Sequence, residues 1–282
     1  MEKRMFWSGL IFMVVGLCSS GVFAASMGAP VAGLEAGKWS VGLDYAYTDM
    51  TVAVKADYIE SVDVFVPPPA DAVATDSYEM KDDFESNMLF VNFGRGITDK
   101  LEVFLRLGFS DIDLSIANGE WDAGSNFAYG LGAKATFYEA GDLELGGLVQ
   151  MTWASADGDM TVVKSGAAGI PFVGPTELSG DGEFDWDEIK LAVGPSYKLT
   201  EGVSIYGGPF YHIISGDFEL EADVTKIDAS AHIEQSGDFD EESDFGFYVG
   251  GQIDFSKNVP FYIEWQSTGD ADVVGLSIAY RY

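Results

Sequence analysis

Apolar residues fall at every second position along much of this chain, the spacing that gathers them on one face of an extended strand. In Val273–Tyr282 that set is Val274, Leu276, Ile278, Tyr280 and Tyr282. In Trp39–Asp49, Trp39, Val41, Leu43, Tyr45 and Tyr47 alternate with Ser40, Gly42, Asp44, Ala46 and Thr48. The rhythm predicts ten strands: Trp39–Asp49, Ser86–Gly96, Leu101–Ser110, Asn126–Tyr138, Leu143–Trp153, Trp186–Tyr197, Val203–His212, Asp244–Phe255, Phe261–Thr268 and Val273–Tyr282. Most lie near the ~9–11 residues that a tilted strand needs to cross a bilayer.

The connections sort by length. After even strands they are Ile97–Lys100, Glu139–Asp142, Lys198–Gly202 and Ser256–Pro260. After odd strands they are Met50–Glu85, Asp111–Ser125, Ala154–Asp185, Ile213–Ser243 and the short Gly269–Asp272. Short turns on one side and long loops on the other fit a barrel in an outer membrane, with the termini on the periplasmic side. The predicted fold is therefore all-β: a transmembrane antiparallel up-and-down β-barrel of ten strands, with eight or twelve as alternatives. Met50–Glu85 and Ile213–Ser243 contain further alternation (Val52, Val54, Ala56; Phe218, Leu220, Ala222, Val224). We read them as hairpins rising above the membrane, because their other face is too acidic for a lumen.

Aromatic residues mark both ends of the spans. Trp39, Phe137, Tyr197, Phe255, Phe261, Tyr280 and Tyr282 lie at the inner ends, and Tyr47, Phe109, Phe127, Trp153, Trp186 and Phe245 at the outer ends. Two interfacial girdles are expected. A hydrophobic content of 47% beside a net charge of -31 excludes a disordered acidic chain. At the N-terminus, Lys3 and Arg4, the apolar Met5–Leu17 and Val22-Phe23-Ala24 read as a signal peptide over residues 1–24. Residues 25–38 are expected to be a mobile periplasmic lead-in and 39–282 the barrel. Leu17 argues against lipid attachment at Cys18, which leaves with the signal, so no thiol or disulfide is expected in the mature chain.

The terminal strand, and turns such as Gly94-Arg95-Gly96-Ile97-Thr98-Asp99-Lys100-Leu101 and Tyr197-Lys198-Leu199-Thr200-Glu201-Gly202, resemble those of the small outer-membrane β-barrel superfamily. That group includes OmpA-like membrane domains and porin-like outer-membrane proteins. The resemblance spans most of Trp39–Tyr282 and is architectural, so it leaves function open. It implies that Val274, Leu276, Ile278, Tyr280 and Tyr282 form an assembly signal. It also implies outer-membrane lipid, lipopolysaccharide, the barrel assembly machinery and periplasmic chaperones as partners. Ending at the tenth strand, the chain is expected to carry no peptidoglycan-binding domain; its oligomeric state is left open.

Candidate chemistry begins with inward-facing polar residues: Asp44, Glu102, Arg106, Lys134, Glu144, Gln150, Lys190, Tyr206, His212, Asp254, Glu264 and Gln266. Such charges either neutralise one another and plug a small barrel or line a narrow aqueous path. The five connections after odd strands carry -27 of the net charge of -31. An outer surface so acidic excludes nucleic acid as a partner and favours cations. Asp181, Glu183, Asp185 and Asp187 place acids at alternate positions, but Trp186 stands where an EF-hand needs glycine, so only weak surface Ca2+ binding is expected and no cofactor. Omptin proteases, also ten-stranded outer-membrane barrels, use an acid pair and an Asp–His pair at the outer rim. His212 and Asp111-Ile112-Asp113 would sit there, yet Phe210 occupies the position where that pattern has aspartate. No catalytic residue is assigned. The expected function is non-enzymatic, structural or a narrow cation-preferring pore. A surface adhesin or ligand-binding barrel is the alternative and a rim protease the distant one.

Overall fold

The computed structural model describes residues 26–64, 70–116, 119–164, 176–225, 229–241 and 245–282. The predicted signal peptide, residues 1–24, and the proline run at 67–69 lie outside these residues. Among them are eleven strands in one antiparallel sheet: β1 Trp39–Val64, β2 Ala70–Thr98, β3 Leu101–Ile116, β4 Gly119–Ala140, β5 Leu143–Lys164, β6 Thr176–Thr200, β7 Val203–Thr225, β8 Ala229–Glu241, β9 Phe245–Ser256, β10 Val259–Ser267 and β11 Ala271–Arg281. Each predicted strand lies essentially within one of these, but most run much further. The loops expected after odd strands are largely strand as well, and β8 is an additional strand inside Ile213–Ser243.

The pairings form a circuit. At the turn end, neighbours run from β1 to β7, then β9, β10 and β11, and β11 pairs β1 from Ser40↔Arg281 to Met50↔Ala271. The ends of the circuit are tied by Trp39 and Tyr282, whose backbone N–H groups each donate to the other's carbonyl. Further along, β9, β10 and β11 have stopped and β8 takes their place. It pairs β7 from Ser215↔Asp240 to Thr225↔Ser230, and β1 from Val52↔Glu241 to Val64↔Ala229. The far end of the sheet, called the collar below, is thus also a circuit. Connections at the turn end are two-residue turns, as at Gly141-Asp142, where Gly141 has φ 63° and so fits a conformation that favours glycine.

Halfway along the strands the apolar side changes. Near the turns the outward face is apolar: Val41, Leu43, Leu105, Leu131, Leu191 and Val249 are all exposed. In the collar, outward positions on the same strands are acidic, as at Asp57, Asp157, Glu183 and Glu219, while the inward face holds Val52, Val54, Phe184, Phe218, Leu220 and Phe239 in one buried cluster. β4 shifts register between Asp122 and Ala128, but on β6 parity holds throughout: Tyr197, Val193 and Leu191 give way to Asp187, Asp185 and Glu183 on the same outward side. The acidity of the hairpins therefore faces outward, and their inner face is apolar.

One girdle assignment is corrected. Trp186 is 3% exposed and sits in the collar core, because it shares parity with Phe184 and Glu188 rather than with Tyr197. The other outer-end aromatics point outward; Phe109 and Phe127 meet edge to face, and Phe127, Tyr129 and Trp153 stack in succession.

Candidate functional site

The interior of the circuit is the candidate site, and it is filled. Inward residues of β1 and β3 build its first charged group. The Arg106 Nη2 donates to Asp44 Oδ2, its Nε donates to Asn92 Oδ1 at 3.2 Å, and its guanidinium lies 4.3 Å from the centre of the Phe90 ring. All of Arg106 is buried. A second group stands on β6 and β7: Glu188 Oε1 is 2.8 Å from Lys190 Nζ and 3.0 Å from His212 Nε2. A third joins Glu264 to Gln266, whose Nε2 donates at 2.7 Å. Arg281 Nη2 donates to the Tyr262 hydroxyl at 2.5 Å. Arg106 and Glu188 are thereby charge-paired, as a buried site demands, while Glu264 is met by neutral donors.

The predicted inward set divides accordingly. Asp44, Arg106, Gln150, Lys190, Tyr206, His212, Glu264 and Gln266 are buried, whereas Glu102, Lys134, Glu144 and Asp254 are partly exposed nearer the turns. Asp254 accepts from Gln252 Nε2 at 2.7 Å, and Glu144 faces Glu139 and Ser196 in register. His212, expected at the outer rim, is 1% exposed inside the circuit, because the wall continues past it to Thr225. Its carboxylate partner Glu188 escaped the sequence reading, although it has the inward parity of Lys190 two residues on.

Residues 26–37, expected as a mobile lead-in, fold back into the turn end of the lumen. Met27, Ala29 and Val31 are buried against Leu148, Ala192, Tyr206, Phe210 and Tyr248. Wall side chains accept this segment's backbone N–H groups: Met27 N to Glu264 Oε1 at 2.9 Å, Ala32 N to Thr136 Oγ1 at 3.1 Å, Gly33 N to Glu102 Oε2 at 2.8 Å and Ala36 N to Asp99 Oδ1 at 2.9 Å. Wall glycines make the room. A Cβ on Gly96 would stand 2.1 Å from the Glu35 carbonyl oxygen, and one on Gly146 2.5 Å from that of Pro30. Beside the segment remains a polar cavity of about 110 Å3, reached by Asp44, Arg106, Lys134 and Gln150.

The collar's outward face arranges carboxylates in rows across strands. Asp185, Asp217 and Asp238 stand directly opposite one another on β6, β7 and β8, with Lys55 of β1 next in line. A hydrogen bond with Asp238 raises the Asp217 carboxyl above its ordinary value, with burial and the neighbouring Asp charges adding to it. His232 lies between Glu234, 3.0 Å from its Nε2, and Asp223, 2.8 Å from its Nδ1, and those contacts raise it. The predicted calcium acids Asp181, Glu183, Asp185 and Asp187 are exposed along this face of β6. Alternate strand positions are roughly 6.6 Å apart, so the four acids span roughly 20 Å of strand and do not converge on one ion. Among the described residues no group of three or more ligating side chains is placed to hold a metal.

No protein-family model matches the chain, and no curated protein matches it. Solved structures do. The translocator domain of autotransporter NalP from Neisseria meningitidis matches with 11% identity and a TM-score of 0.39, over 100% of this chain and 96% of its own. The toluene transporter TodX of Pseudomonas putida gives 8% identity and 0.38, over 88% and 90%. The outer membrane protease OmpT of Escherichia coli gives 10% identity and 0.40, over 87% and 97%. Likenesses of this size add nothing to what the pairings themselves establish.

Proposed function

We propose that this chain is an integral barrel of the bacterial outer membrane, crossing the bilayer with ten strands, β1 to β7 and β9 to β11, its short turns and both termini in the periplasm. Its lumen is closed, and its role is structural: it holds a stiff acidic collar above the membrane. The observation that carries this reading is the change of face along the strands. An apolar outward band flanked by aromatics suits lipid, and an acidic outward face over a dry core suits water. Outer-membrane lipid and lipopolysaccharide are the surroundings such a band and collar would meet. Val274, Leu276, Ile278, Tyr280 and Tyr282, on the outward face of the closing strand, would be what the assembly machinery and its chaperones read. The reading is non-enzymatic, since His212 is held inside by Glu188 rather than offered at a rim.

Against a cation-preferring passage stand the paired charges, the seated 26–37 segment and the apolar fill of the collar. The deciding measurement is single-channel conductance of the mature chain in a planar bilayer, with folding checked by heat-shifted gel migration. Silence is expected from folded protein; steady cation-selective openings would overturn the closed lumen. A surface ligand-binding role has one observation in its favour, the row Asp185–Asp217–Asp238, and would show as saturable, salt-sensitive binding of basic peptides to the folded protein.

A further inference from the structure

The segment 26–37 is held in a way unlike the wall around it. Strands of the wall are joined by backbone ladders, whereas this segment is anchored chiefly by side chains of the wall accepting its backbone N–H groups. Glu264, Glu102, Thr136 and Asp99 supply one acceptor each. Alternate apolar side chains, Met27, Ala29 and Val31, enter the surrounding apolar cluster. Gly28 has φ 69°, and a Cβ there would stand 2.9 Å from Lys134 Nζ, so a side chain at this point would press on the ammonium. Carboxylates that take main-chain N–H groups, apolar recesses at alternate positions and glycine clearances in the wall are the parts of a peptide-binding site.

We propose that the periplasmic half of the lumen is a peptide-binding site, occupied in cis by residues 26–37 as an exchangeable plug. Its ligand class is a short, bent peptide of small and apolar residues, with a glycine at the bend and free backbone N–H groups. The polar cavity of about 110 Å3 beside the segment gives it space to shift without first opening the wall. The collar core lies beyond this site, so an empty site is a pocket open to the periplasm and not a channel. The seat of residues 26–37 is a feature of the interior alone; that its mouth opens to the periplasm rests on the outer-membrane reading above.

The thiol-free mature chain makes a direct test available. In the full mature protein, Ala29→Cys is labelled with a polar maleimide, with Lys38→Cys as the exposed reference and Ala156→Cys as a collar-core control. A seated plug makes Ala29→Cys label roughly 100-fold more slowly than Lys38→Cys, the protection of a locally closed segment. Adding a synthetic peptide of residues 26–38 at ~5 mM, the scale on which a short tether competes, raises the Ala29→Cys rate about threefold or more and leaves Ala156→Cys unreactive. The same peptide with proline replacing Gly33 lacks the N–H that Glu102 accepts and leaves the rate unchanged. Equal labelling of Ala29→Cys and Lys38→Cys in folded protein would refute the seat, and a rate indifferent to the peptide would refute the exchange. Val31→Cys, read in the same way, serves if Ala29→Cys disturbs folding.

Discussion

Arg106 shows what a single residue needs in order to be charged inside a β-circuit. Its guanidinium has a carboxylate from Asp44 of β1, and an amide oxygen from Asn92 and the face of Phe90, both of β2. Removing one member leaves a buried charge without its counterpart, which costs about 3–5 kcal/mol, whereas replacing both by apolar groups of similar volume is far cheaper. Asp44→Ala is accordingly expected to lower the urea midpoint of the micelle-bound protein markedly. The double variant Asp44→Leu/Arg106→Met should recover most of that loss, and a double variant no better than Asp44→Ala would mean the pair is incidental. At this scale the sequence was partly legible. Period two placed Asp44, Arg106, Lys190 and Glu264 inside, but who meets whom depends on stagger between strands, which no single strand encodes. Glu188 was readable from Lys190 by parity alone. The seating of Met27, Ala29 and Val31 was not, because a short run rich in Gly, Ala and Pro reads as a linker unless its receptor is known.

Among the elements, β6, β7 and β8 carry the collar's oddest feature, carboxylates facing carboxylates. Like charges directly opposite in an antiparallel pair are destabilising. The Asp217 carboxyl, raised by its hydrogen bond to Asp238, binds its proton more tightly folded than unfolded. Such a group favours the folded state below the ordinary aspartate value of 3.8, and that contribution is lost as pH rises through the raised value. Asp217→Asn should therefore stabilise the protein modestly at pH 7, with the gain shrinking as pH falls towards 3.8. Thermal melts of the two proteins at pH 7 and pH 4 would test it; a gain that grows in acid would contradict the assignment. The sequence made the spans of β1 to β7 and β9 to β11 visible through their apolar outward faces. It showed the upper halves of β1, β2 and β7, with β8, only as hairpins over Met50–Glu85 and Ile213–Ser243, and it hid those of β3 to β6, because in the collar the apolar residues move to the other parity and one strand looks like a strand followed by an acidic loop.

For the whole molecule the same change of parity fixes where each surface belongs. Leu105 sits at the middle of the outward apolar run of β3 and is 45% exposed. Leu105→Arg should cost about 2–4 kcal/mol in lipid vesicles, the depth-dependent penalty for a charge on a lipid face. Glu183→Arg, outward on the collar, should stay within about 0.5 kcal/mol of the parent, as surface changes do. Urea titrations of both variants measure the contrast, and equal effects would place the bilayer elsewhere.

β1 and β2 pair through every position from Trp39↔Arg95 to Val64↔Ala70 without a shift in register, and β5 and β6 do the same from Leu143↔Tyr197 to Lys164↔Thr176. Along these ladders there is no joint at the level where lipid would give way to water. A pull on the tip loads a long row of hydrogen bonds in shear, all at once, and reaches the turns at the far end undiminished. Along these two hairpins the collar is a mast continuous with the wall beneath it, and not a lid hinged over it.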